Sequence, residues 1–306
     1  MNDIIYTEVI KIKIAILSDI HGNIVALKEV LKDAKKNNVD EYFVIGDMIF
    51  DLPFGDETLN IIKNITDVVL KGNKEQYIIE YDKEKYNWDN IQFVATRCMY
   101  NQLSRETIEY VKKLPHRIDL KRDGVKITLT HGSPKSVEEK IKKNDEKIKQ
   151  YYANTIDTDI LFFGHTHEKM WMDKINNKLL INAGCLGVSP HYCGKAEYVI
   201  LEIKNSKIEN IEFKLVDYDI EKVKQMIIKN GILDYEKTYM NLTYLGINGN
   251  GKIRYQFFKD AEKMMLEKYG KAYRNDAKGI YTYFKLFDDE IWLYLSEKYK
   301  DYFVFK

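Results

Sequence analysis

Five short apolar runs, each ending in a cluster of polar and glycine residues, constrain the fold of this chain more than any other feature of its sequence. The runs read KIAILS, YFVI, VVLK, ITLT and DILFF. Runs of this length separated by helical patterns predict an α/β fold with parallel strands. Ligand sites in such folds form beyond the carboxyl ends of the strands. We therefore expect one crevice that gathers the residues following the runs, namely Asp19-Ile20-His21, Gly46-Asp47, Gly72-Asn73, His131-Gly132 and Gly164-His165-Thr166-His167.

The side chains of this crevice are of the types that bind transition metals. They comprise carboxylates, an amide and four of the chain's six histidines. Alternation along the strand end places Asp19 and His21 on one side, while Ile20 points the other way. Each segment alone is a weak motif, and a pair of hydrogen-bonded loop histidines would explain the Gly-His-Thr-His segment equally well. The five segments together predict a site for two divalent ions.

The overall composition narrows the partners and the compartment. Lys+Arg 48 against Asp+Glu 47 gives a formal net charge of +1, so no global field attracts duplex nucleic acid or a membrane surface. Three cysteines without a C-x-x-C pair argue against a disulfide framework and favour a reducing cytoplasm. The sequence has neither a signal-peptide pattern nor an apolar stretch of about 20 residues, so we predict a soluble, cytoplasmic protein.

Hydrophobic periodicity and capping residues predict the elements of the body. A strand over residues 9–18 precedes a helix capped by Asn23, and the runs YFVI and VVLK flank a second helix at 57–64. This β-α-β-α-β order implies right-handed crossovers. Further along the chain we predict a helix near 104–114, a hairpin turn at Asp123-Gly124, a charged helix at about 137–152 with Ser136 and Glu139 as its capping box, and strands at 159–163, 179–182 and 197–203.

The sequence changes character near residue 217, where strand patterns give way to helical ones. Helices are predicted at 220–229, 256–268 and 289–299, and GINGNG at 246–251 reads as a tight turn or flexible loop. We therefore divide the chain into a catalytic domain at 1–216 and a helical C-terminal extension at 217–306. An apolar stripe in the extension predicts a helix core or, less commonly, a homodimer face or a cap over the cleft. The stripe comprises Phe257, Phe258, Ala261, Met264, Met265 and Tyr269.

The ordered motifs D-x-H, G-D, G-N, H-G and G-H-x-H resemble those of the calcineurin-like metallophosphoesterases over roughly residues 10–215. The stretches SDIHGNIVALKEVL, HGSP and INAGCLG…AEYVIL look like the bacterial branch with small phosphodiesterases and diadenosine-tetraphosphate-hydrolase-like proteins. The resemblance implies a four-layer α/β/β/α sandwich of two mixed sheets, with the helical extension added to it. It also implies hydrolysis of phosphoester or phosphoanhydride bonds in small phosphorylated, and specifically nucleotidic, substrates.

The resemblance also assigns the metal ligands residue by residue. Asp19, His21 and His167 would hold one ion, and Asn73, His131 and His165 would hold the second. Asp47 would bridge both ions through its carboxylate. The mixed oxygen and imidazole set fits Mn, Fe, Zn or Co. The candidate catalytic residues are Asn73, His131 and Lys74.

Lys74 departs from the family pattern, because many relatives place a histidine after Gly-Asn. A lysine with an ordinary pKa of about 10.4 is a poor proton donor near neutrality. It would either stabilise negative charge on the substrate or lie solvated at the vacated position. The missing histidine disfavours a protein phosphatase, which is the alternative enzymatic function. A non-catalytic scaffold, as in a retromer subunit of this fold, is disfavoured because every ligand position is kept.

Several further residues have weaker signals. Arg97 and Tyr100 precede a predicted helix, and Arg97 would either clamp a phosphate or form a surface ion pair. Asn182 and Gly184 lie in a loop that departs from the family sequence, and Cys185 within it is expected to be a small apolar filler. His116 and His191 have no motif around them and are expected to be structural or exposed.

Overall fold

The computed structural model describes residues 11–81, 90–271 and 287–306 and contains two five-stranded sheets. The first sheet has the order β10-β9-β1-β2-β3. The second has the order β4-β5-β6-β8-β7. The strands are β1 (Lys11–Leu17), β2 (Glu41–Ile45), β3 (Val69–Leu70), β4 (Arg117–Arg122), β5 (Val125–Thr130), β6 (Ile160–Phe163), β7 (Trp171–Ile175), β8 (Lys178–Asn182), β9 (Lys195–Lys204) and β10 (Lys207–Asp217).

The first sheet is mixed, with three parallel strands at one side. β1 pairs in parallel with β2, and β2 with β3. β9 runs antiparallel to β1, and β10 runs antiparallel to β9. The carboxyl ends of the three parallel strands meet at one edge, so the polar segments that follow them are neighbours in space. The predicted strand at 9–18 is observed from Lys11, and its first two residues lie outside the described part of the chain.

The second sheet is also mixed and carries the other two ligand segments. β4 and β5 form an antiparallel hairpin. Its turn is Asp123-Gly124, where both residues have positive φ (42° and 80°), as the sequence predicted. β5, β6 and β8 are parallel, and β7 pairs antiparallel at the edge. The ends of β5 and β6 therefore present their following residues to the same side.

Buried side chains divide into layers, and this confirms the predicted α/β/β/α sandwich. Inward-facing residues of both sheets, such as Ile16, Phe43, Leu129 and Phe162, form one cluster between the sheets. The opposite face of the first sheet packs against helices in a second cluster. The outer face of the second sheet packs in a third cluster with Tyr152 of the helix that covers it. This arrangement follows from the alternation of side chains along each strand.

Ten α-helices lie within the described residues. They are α1 (Ile24–Lys36), α2 (Gly55–Lys63), α3 (Asn73–Tyr81), α4 (Val94–Asn101), α5 (Arg105–Lys113), α6 (Glu146–Thr155), α7 (Ile220–Asn230), α8 (Thr238–Ile247), α9 (Gly251–Tyr269) and α10 (Asp289–Tyr299). Asn23 caps α1 as predicted, since its side chain accepts a hydrogen bond from Ala26 N. None of the described helices combines the length and apolar character that a membrane span requires.

The predicted helix at 137–152 is wrong, because α6 begins only at Glu146. The Glu139 carboxylate does not close a capping box with Ser136. It accepts a 2.5 Å hydrogen bond from Ser133 Oγ and another from the Tyr152 hydroxyl. The cap is instead Asp145, whose side chain accepts from Ile148 N at 3.2 Å. Tertiary hydrogen bonds therefore hold the residues between the ligand loop and α6 outside a helix.

The residues after 217 fold as helices and pack in two places. Leu245, Phe257, Trp292 and other residues form a cluster of their own. Met240 on α8 and other residues of this region pack instead into the helix layer on the first sheet. In the predicted stripe, Phe257, Ala261 and Met265 are buried, Phe258 and Met264 are half-buried, and Tyr269 is exposed.

Candidate metal centre

The backbone brings the ligand segments together at the strand ends. Asp19 N donates to Gly46 O at 3.1 Å, and His21 N donates to Asp47 O at 2.8 Å. These bonds join the segments after β1 and β2. Gly164 N donates to His131 O at 2.8 Å and joins the segments after β5 and β6. These backbone hydrogen bonds therefore hold four of the five predicted ligand segments side by side, as two pairs of segments.

Five of the seven predicted ligands have left-handed backbone conformations. Their φ angles are 55° at Asp19, 52° at His21, 51° at Asp47, 66° at His165 and 52° at His167. Non-glycine residues rarely adopt this region, and such strain concentrates at functional sites. The sharp turns aim side chains back into the crevice at the point where each strand ends.

Gly72 and Gly164 let the segments approach more closely than any side chain would permit. A Cβ at Gly72 would lie 2.2 Å from Asp47 Oδ1. A Cβ at Gly164 would lie 2.0 Å from Ser18 Oγ and 2.4 Å from Asp19 Oδ2. Both glycines are therefore required for the carboxylates to occupy their places.

One group of side chains gathers around Asp19. His21 Nε2 and His167 Nε2 lie 3.0 Å apart. Asp19 Oδ1 lies 3.2 Å from His167 Nε2 and 3.6 Å from His21 Nε2. Asp47 Oδ2 lies 3.7 Å from His21 Nε2. The potential ligand atoms of these four residues all lie within 4.8 Å of one another, as one metal ion would require.

A second group gathers around His131. His131 Nε2 lies 3.0 Å from Asn73 Oδ1 and 3.3 Å from Asp47 Oδ1. The ring of His165 is 5.2 Å from that of His131, and its Nε2 contacts Glu138 O at 3.1 Å. This contact leaves Nδ1 of His165 as the ring nitrogen available to an ion. Asp47 stands between the groups, with one carboxylate oxygen toward each.

Hydrogen bonding in this cluster is incomplete in a way that fits bound cations. Asp19 Oδ1 is buried and has no hydrogen bond of acceptable geometry among the described residues. His131 Nδ1 contacts Ile45 O at 2.9 Å. Because Nδ1 must then carry a proton, Nε2 faces two oxygen acceptors and needs either a second proton or a cation. Buried polar atoms are normally satisfied, and a cation among these nitrogens and oxygens would satisfy them.

The electrostatics of the cluster indicate the same need for positive charge. Burial lowers the pKa of His21, but Asp51 and Asp19 outweigh burial and raise it to about 9. Burial also lowers the pKa of His131, and Asp47 and Asp19 raise it to about 10. Burial and the charge of His131 lower the pKa of His165 to about 3. Protons on imidazoles thus balance the carboxylates, and metal ions would displace those protons.

Glu75 supports the site and has no sequence motif of its own. Its buried carboxylate accepts hydrogen bonds from Asp47 N at 2.8 Å, Met48 N at 2.8 Å, Ile49 N at 3.2 Å and Gly72 N at 2.7 Å. Burial and the charge of Asp47 raise the pKa of Glu75 to about 6. Glu75 therefore fixes the loop that carries Asp47.

Asp51 is a second residue that the sequence did not indicate. Its Oδ2 lies 2.9 Å from His21 Nδ1, and its Oδ1 lies 2.9 Å from Lys74 Nζ. The Tyr239 hydroxyl, from α8, also donates to this carboxylate. A carboxylate on the outer nitrogen of a metal-binding histidine fixes the tautomer and orientation of the ring. Asp51 links the cluster to the C-terminal helices.

Lys74 is held in place rather than solvated. Its backbone N donates to Asp47 Oδ1 at 2.8 Å, and its side chain is 19% exposed. Burial lowers the pKa of Lys74, but the charge of Asp51 outweighs it and raises the pKa well above its usual value. The amide of Asn73 donates to the Tyr77 hydroxyl at 3.0 Å, which turns its oxygen toward His131.

The residues with weaker signals differ in position and burial. Arg97 and Tyr100 lie within α4, which precedes the predicted helix, observed as α5. His116 is exposed, and the exposed His191 contacts His167 O through Nε2 at 2.9 Å. Cys185 is buried in the helix-side core. The Asn182 amide donates to Thr166 Oγ1 at 2.7 Å, which positions the segment between the two loop histidines.

Comparison with known proteins identifies the family. The sequence model of the calcineurin-like phosphoesterase superfamily domain matches residues 12–206, more than half of the chain. The protein is therefore a metal-dependent phosphoesterase by class. It belongs to the calcineurin-like phosphoesterase superfamily.

Individual proteins resemble this chain in sequence or in fold. The chain is 27% identical over 248 residues to the uncharacterized protein MJ0912 of Methanocaldococcus jannaschii, a match that covers 74% of this chain and 96% of the relative. A metallophosphoesterase from Sphaerobacter thermophilus has a similar fold, with a TM-score of 0.62, 23% identity and coverage of 77% of this chain and 99% of the other. The hypothetical protein PH1004 of Pyrococcus horikoshii OT3 aligns with a TM-score of 0.65, 19% identity and coverage of 78% and 98%.

Proposed function

We propose that this protein hydrolyses phosphoester or phosphoanhydride bonds with two divalent transition-metal ions. The observation that carries the proposal is the position of Asp47, whose oxygens lie 3.7 Å from His21 Nε2 and 3.3 Å from His131 Nε2. Asp19, His21 and His167 would hold one ion with Asp47. Asn73, His131 and His165 would hold the other with the same carboxylate.

The surrounding residues would prepare this site for a phosphate. When bound, two such ions supply Lewis-acid stabilisation of phosphoryl charge and a nucleophile at neutral pH. Asp51 would orient His21, and Glu75 would hold the Asp47 loop in place. The ammonium of Lys74, fixed 2.9 Å from Asp51, adds positive charge next to Asn73. The Lys74 ammonium, which would stabilise negative charge on the phosphate, is thus positioned before the substrate binds.

Lys74 also bears on the substrate class. A lysine held charged by a buried carboxylate is a poor general acid, and general acid catalysis typically contributes about 10²–10⁴-fold. We therefore infer that good leaving groups are preferred. Aryl phosphodiesters and the anhydride linkages of nucleotidic substrates, including dinucleoside polyphosphates, meet this requirement. The likeness to the bacterial small-phosphodiesterase branch supports the same class.

Two alternatives remain distinct from this proposal. A protein phosphatase must cleave alkyl monoesters, whose leaving group needs a proton that Lys74 supplies poorly. A non-catalytic interaction scaffold would not need the full ligand set, and here all seven predicted ligand residues are present, four of them close enough to share one ion. Both alternatives would therefore leave features of the site unused.

The experiment measures metal content and turnover on the same purified protein. Hydrolysis of a graded series of phosphodiesters and phosphomonoesters is followed with Mn, Fe, Zn and Co. We expect about two ions per chain and rates that fall steeply as the leaving-group pKa rises. A chain that binds metal and hydrolyses nothing would favour the scaffold. Equal rates on alkyl monoesters and aryl diesters would favour a phosphatase.

We also infer a cytoplasmic location and a homodimer through the C-terminal helices. The free cysteines support the first inference. Leu293 and Tyr294 on α10 support the second, because they are 54% and 57% exposed. Sedimentation of the wild type and of Leu293→Lys tests the dimer. A wild type that sediments as a monomer at micromolar concentration would contradict it.

A further inference from the structure

An aromatic pocket lies between the catalytic body and the C-terminal helices. Its volume is about 170 Å³. For comparison, a cavity of about 150 Å³ in another protein core accommodates benzene, so this pocket has room for one planar ring. Its aromatic lining comes from both parts of the chain and comprises Phe50, Phe93, Tyr239, Phe258, Phe287 and Trp292.

The polar wall of the pocket consists of residues that contact the proposed metal ligands or Asp51. Lys74 and Tyr77 line it together with Tyr239. Tyr77 accepts a hydrogen bond from the amide of Asn73 at 3.0 Å, and the Lys74 ammonium lies 5.9 Å from the Tyr77 ring centre. A group in the pocket is therefore separated from the proposed ligand Asn73 by a single side chain.

The chemistry of the walls selects an aromatic occupant. Phe258 and Trp292 approach with ring centroids 6.5 Å apart and an interplanar angle of 52°. Phe258 is only half-buried although it belongs to an apolar cluster. Rings of this kind bind the faces and edges of other rings. The ammonium at the other side complements a phosphate but gives nothing to an apolar chain.

We propose that this pocket binds a planar aromatic group attached to the phosphate that reacts at the metal cluster. The substrate would then be an aryl or nucleoside phosphate ester rather than an alkyl one. This inference rests on the proposed phosphoesterase function and adds a subsite to it. It gives the C-terminal helices a role in substrate selection, since Tyr239, Phe258 and Trp292 come from α8, α9 and α10.

Binding of phosphonates tests the pocket without turnover, because their C–P bond is not an ester. Phenylphosphonate, ethylphosphonate and an acyclic adenine phosphonate are titrated calorimetrically into the full-length, Mn²⁺-loaded protein. Stacking by one ring corresponds to roughly tenfold in affinity. We therefore expect phenylphosphonate to bind about tenfold more tightly than ethylphosphonate. Adenine binding at least as tightly as phenyl identifies a nucleobase site, and weaker adenine binding identifies a site for a single ring.

Two variants each change one lining residue of the pocket, on different helices. Phe258→Ala removes a ring, and Thr96→Leu narrows the pocket from α4, which keeps the test informative if the first variant folds poorly. Both should abolish the preference for phenylphosphonate and leave ethylphosphonate binding unchanged. Tyr255→Ala is the matched control, because Tyr255 lies on the same helix and is 62% exposed. It should retain the full preference.

The outcomes separate the subsite from the proposed function. Equal affinity of the wild type for phenyl- and ethylphosphonate, or equal weakening of both in the variants, would overturn the subsite and leave the phosphoesterase function standing. Failure of every phosphonate to bind the Mn²⁺-loaded protein, together with no hydrolysis of any aryl phosphodiester, would overturn both.

Discussion

At the residue scale, Asp47 and Asp51 have different proposed roles, although both are buried carboxylates beside His21. Asp47 presents one oxygen to His21 and the other to His131, whereas Asp51 contacts His21 at its outer nitrogen, Nδ1. The first is suited to bridge two ions, and the second is suited to orient a ligand. Substitution of each should therefore give a different result.

Asp47→Asn should lose both metals or most activity, because one carboxylate balances two cations. The Asn side chain keeps the volume but removes the negative charge. Metal content by mass spectrometry and hydrolysis of an aryl phosphodiester measure the effect. Near-normal activity with two ions retained would show that Asp47 is not the bridge.

Asp51→Asn should weaken metal binding or activity by about 10–100-fold, as is typical for a residue that orients a metal-ligating histidine. The variant also leaves the Lys74 ammonium with less compensation, so its thermal stability must be recorded beside its metal affinity. Asp301→Asn, at an exposed position near the C-terminus, serves as control. An Asp51→Asn protein with wild-type metal affinity would contradict the role in orienting His21.

Sequence reasoning reached the ligand segments because each is a local pattern after a strand. It missed Asp51, Glu75 and Tyr239, because their functions depend on contacts with residues far along the chain. Tyr239 and Asp51 are 188 residues apart. Phe50 and Asp51 both have positive φ, a feature that in the structure marks the unusual position of this carboxylate. Such backbone conformations cannot be read from the sequence, so it gave no signal for Asp51.

At the element scale, α8 and α6 differ from the prediction for two separate physical reasons. α8 is buried around nearly its whole circumference, since its last eight residues are all buried. A helix buried on all sides shows no 3.6-residue period. The glycines and asparagines of residues 246–251 indicated a turn, although α8 extends to Ile247. α6 was placed too early because Glu139 is used by tertiary contacts. The strands β1, β2, β3, β6, β8 and β9 and the periodic helices α1, α5 and α7 were predicted within a few residues, whereas no strand was predicted at β7 or β10.

The start of α8 gives a pH-dependent prediction. Glu236 accepts a hydrogen bond from Tyr239 N at 2.5 Å, and burial raises its pKa from 4.5 to about 7. The folded state therefore holds a proton that the unfolded chain has released. Linkage then lowers stability as pH rises from about 4.5 to about 7.

Glu236→Gln should remove this part of the pH dependence while keeping an acceptor for the helix start. We expect the difference in melting temperature, variant minus wild type, to grow in favour of the variant between pH 5 and pH 8. Glu297→Gln, at a position 71% exposed, should show no such trend. A constant difference across this range would exclude Glu236 as the titrating group.

At the scale of the whole molecule, the proposed division at 216–217 does not coincide with a break in the core. Val223, Ile227, Met240 and Phe305 pack in the same cluster as Leu17 of β1. Large-to-small changes in such a core typically cost about 2–5 kcal/mol. The extension therefore stabilises the body, even though no residue after 217 is among the proposed ligands.

This shared core predicts a single cooperative unfolding transition. Far-ultraviolet circular dichroism and tryptophan fluorescence should melt together, and Met240→Ala should lower both midpoints equally. Two separated transitions, with only the later one lowered by metal removal, would show that the extension unfolds independently of the catalytic body.

The sandwich itself was predicted from the ordered motifs and their family resemblance, and the two sheets confirm it. The motifs could not predict how the C-terminal extension contacts the ligand cluster. One contact is the hydrogen bond from Tyr239 to Asp51, and the other is the aromatic pocket; both join residues that are far apart in the sequence.

The central claim is that one carboxylate, Asp47, joins two metal ions held by different histidines. An anomalous difference map from crystals of the Mn²⁺-loaded protein tests it most directly. The account predicts two peaks about 3.5–4 Å apart, one contacting Asp19, His21 and His167 and the other contacting Asn73, His131 and His165, with Asp47 touching both. A single peak, or His165 and His167 on the same ion, would contradict it.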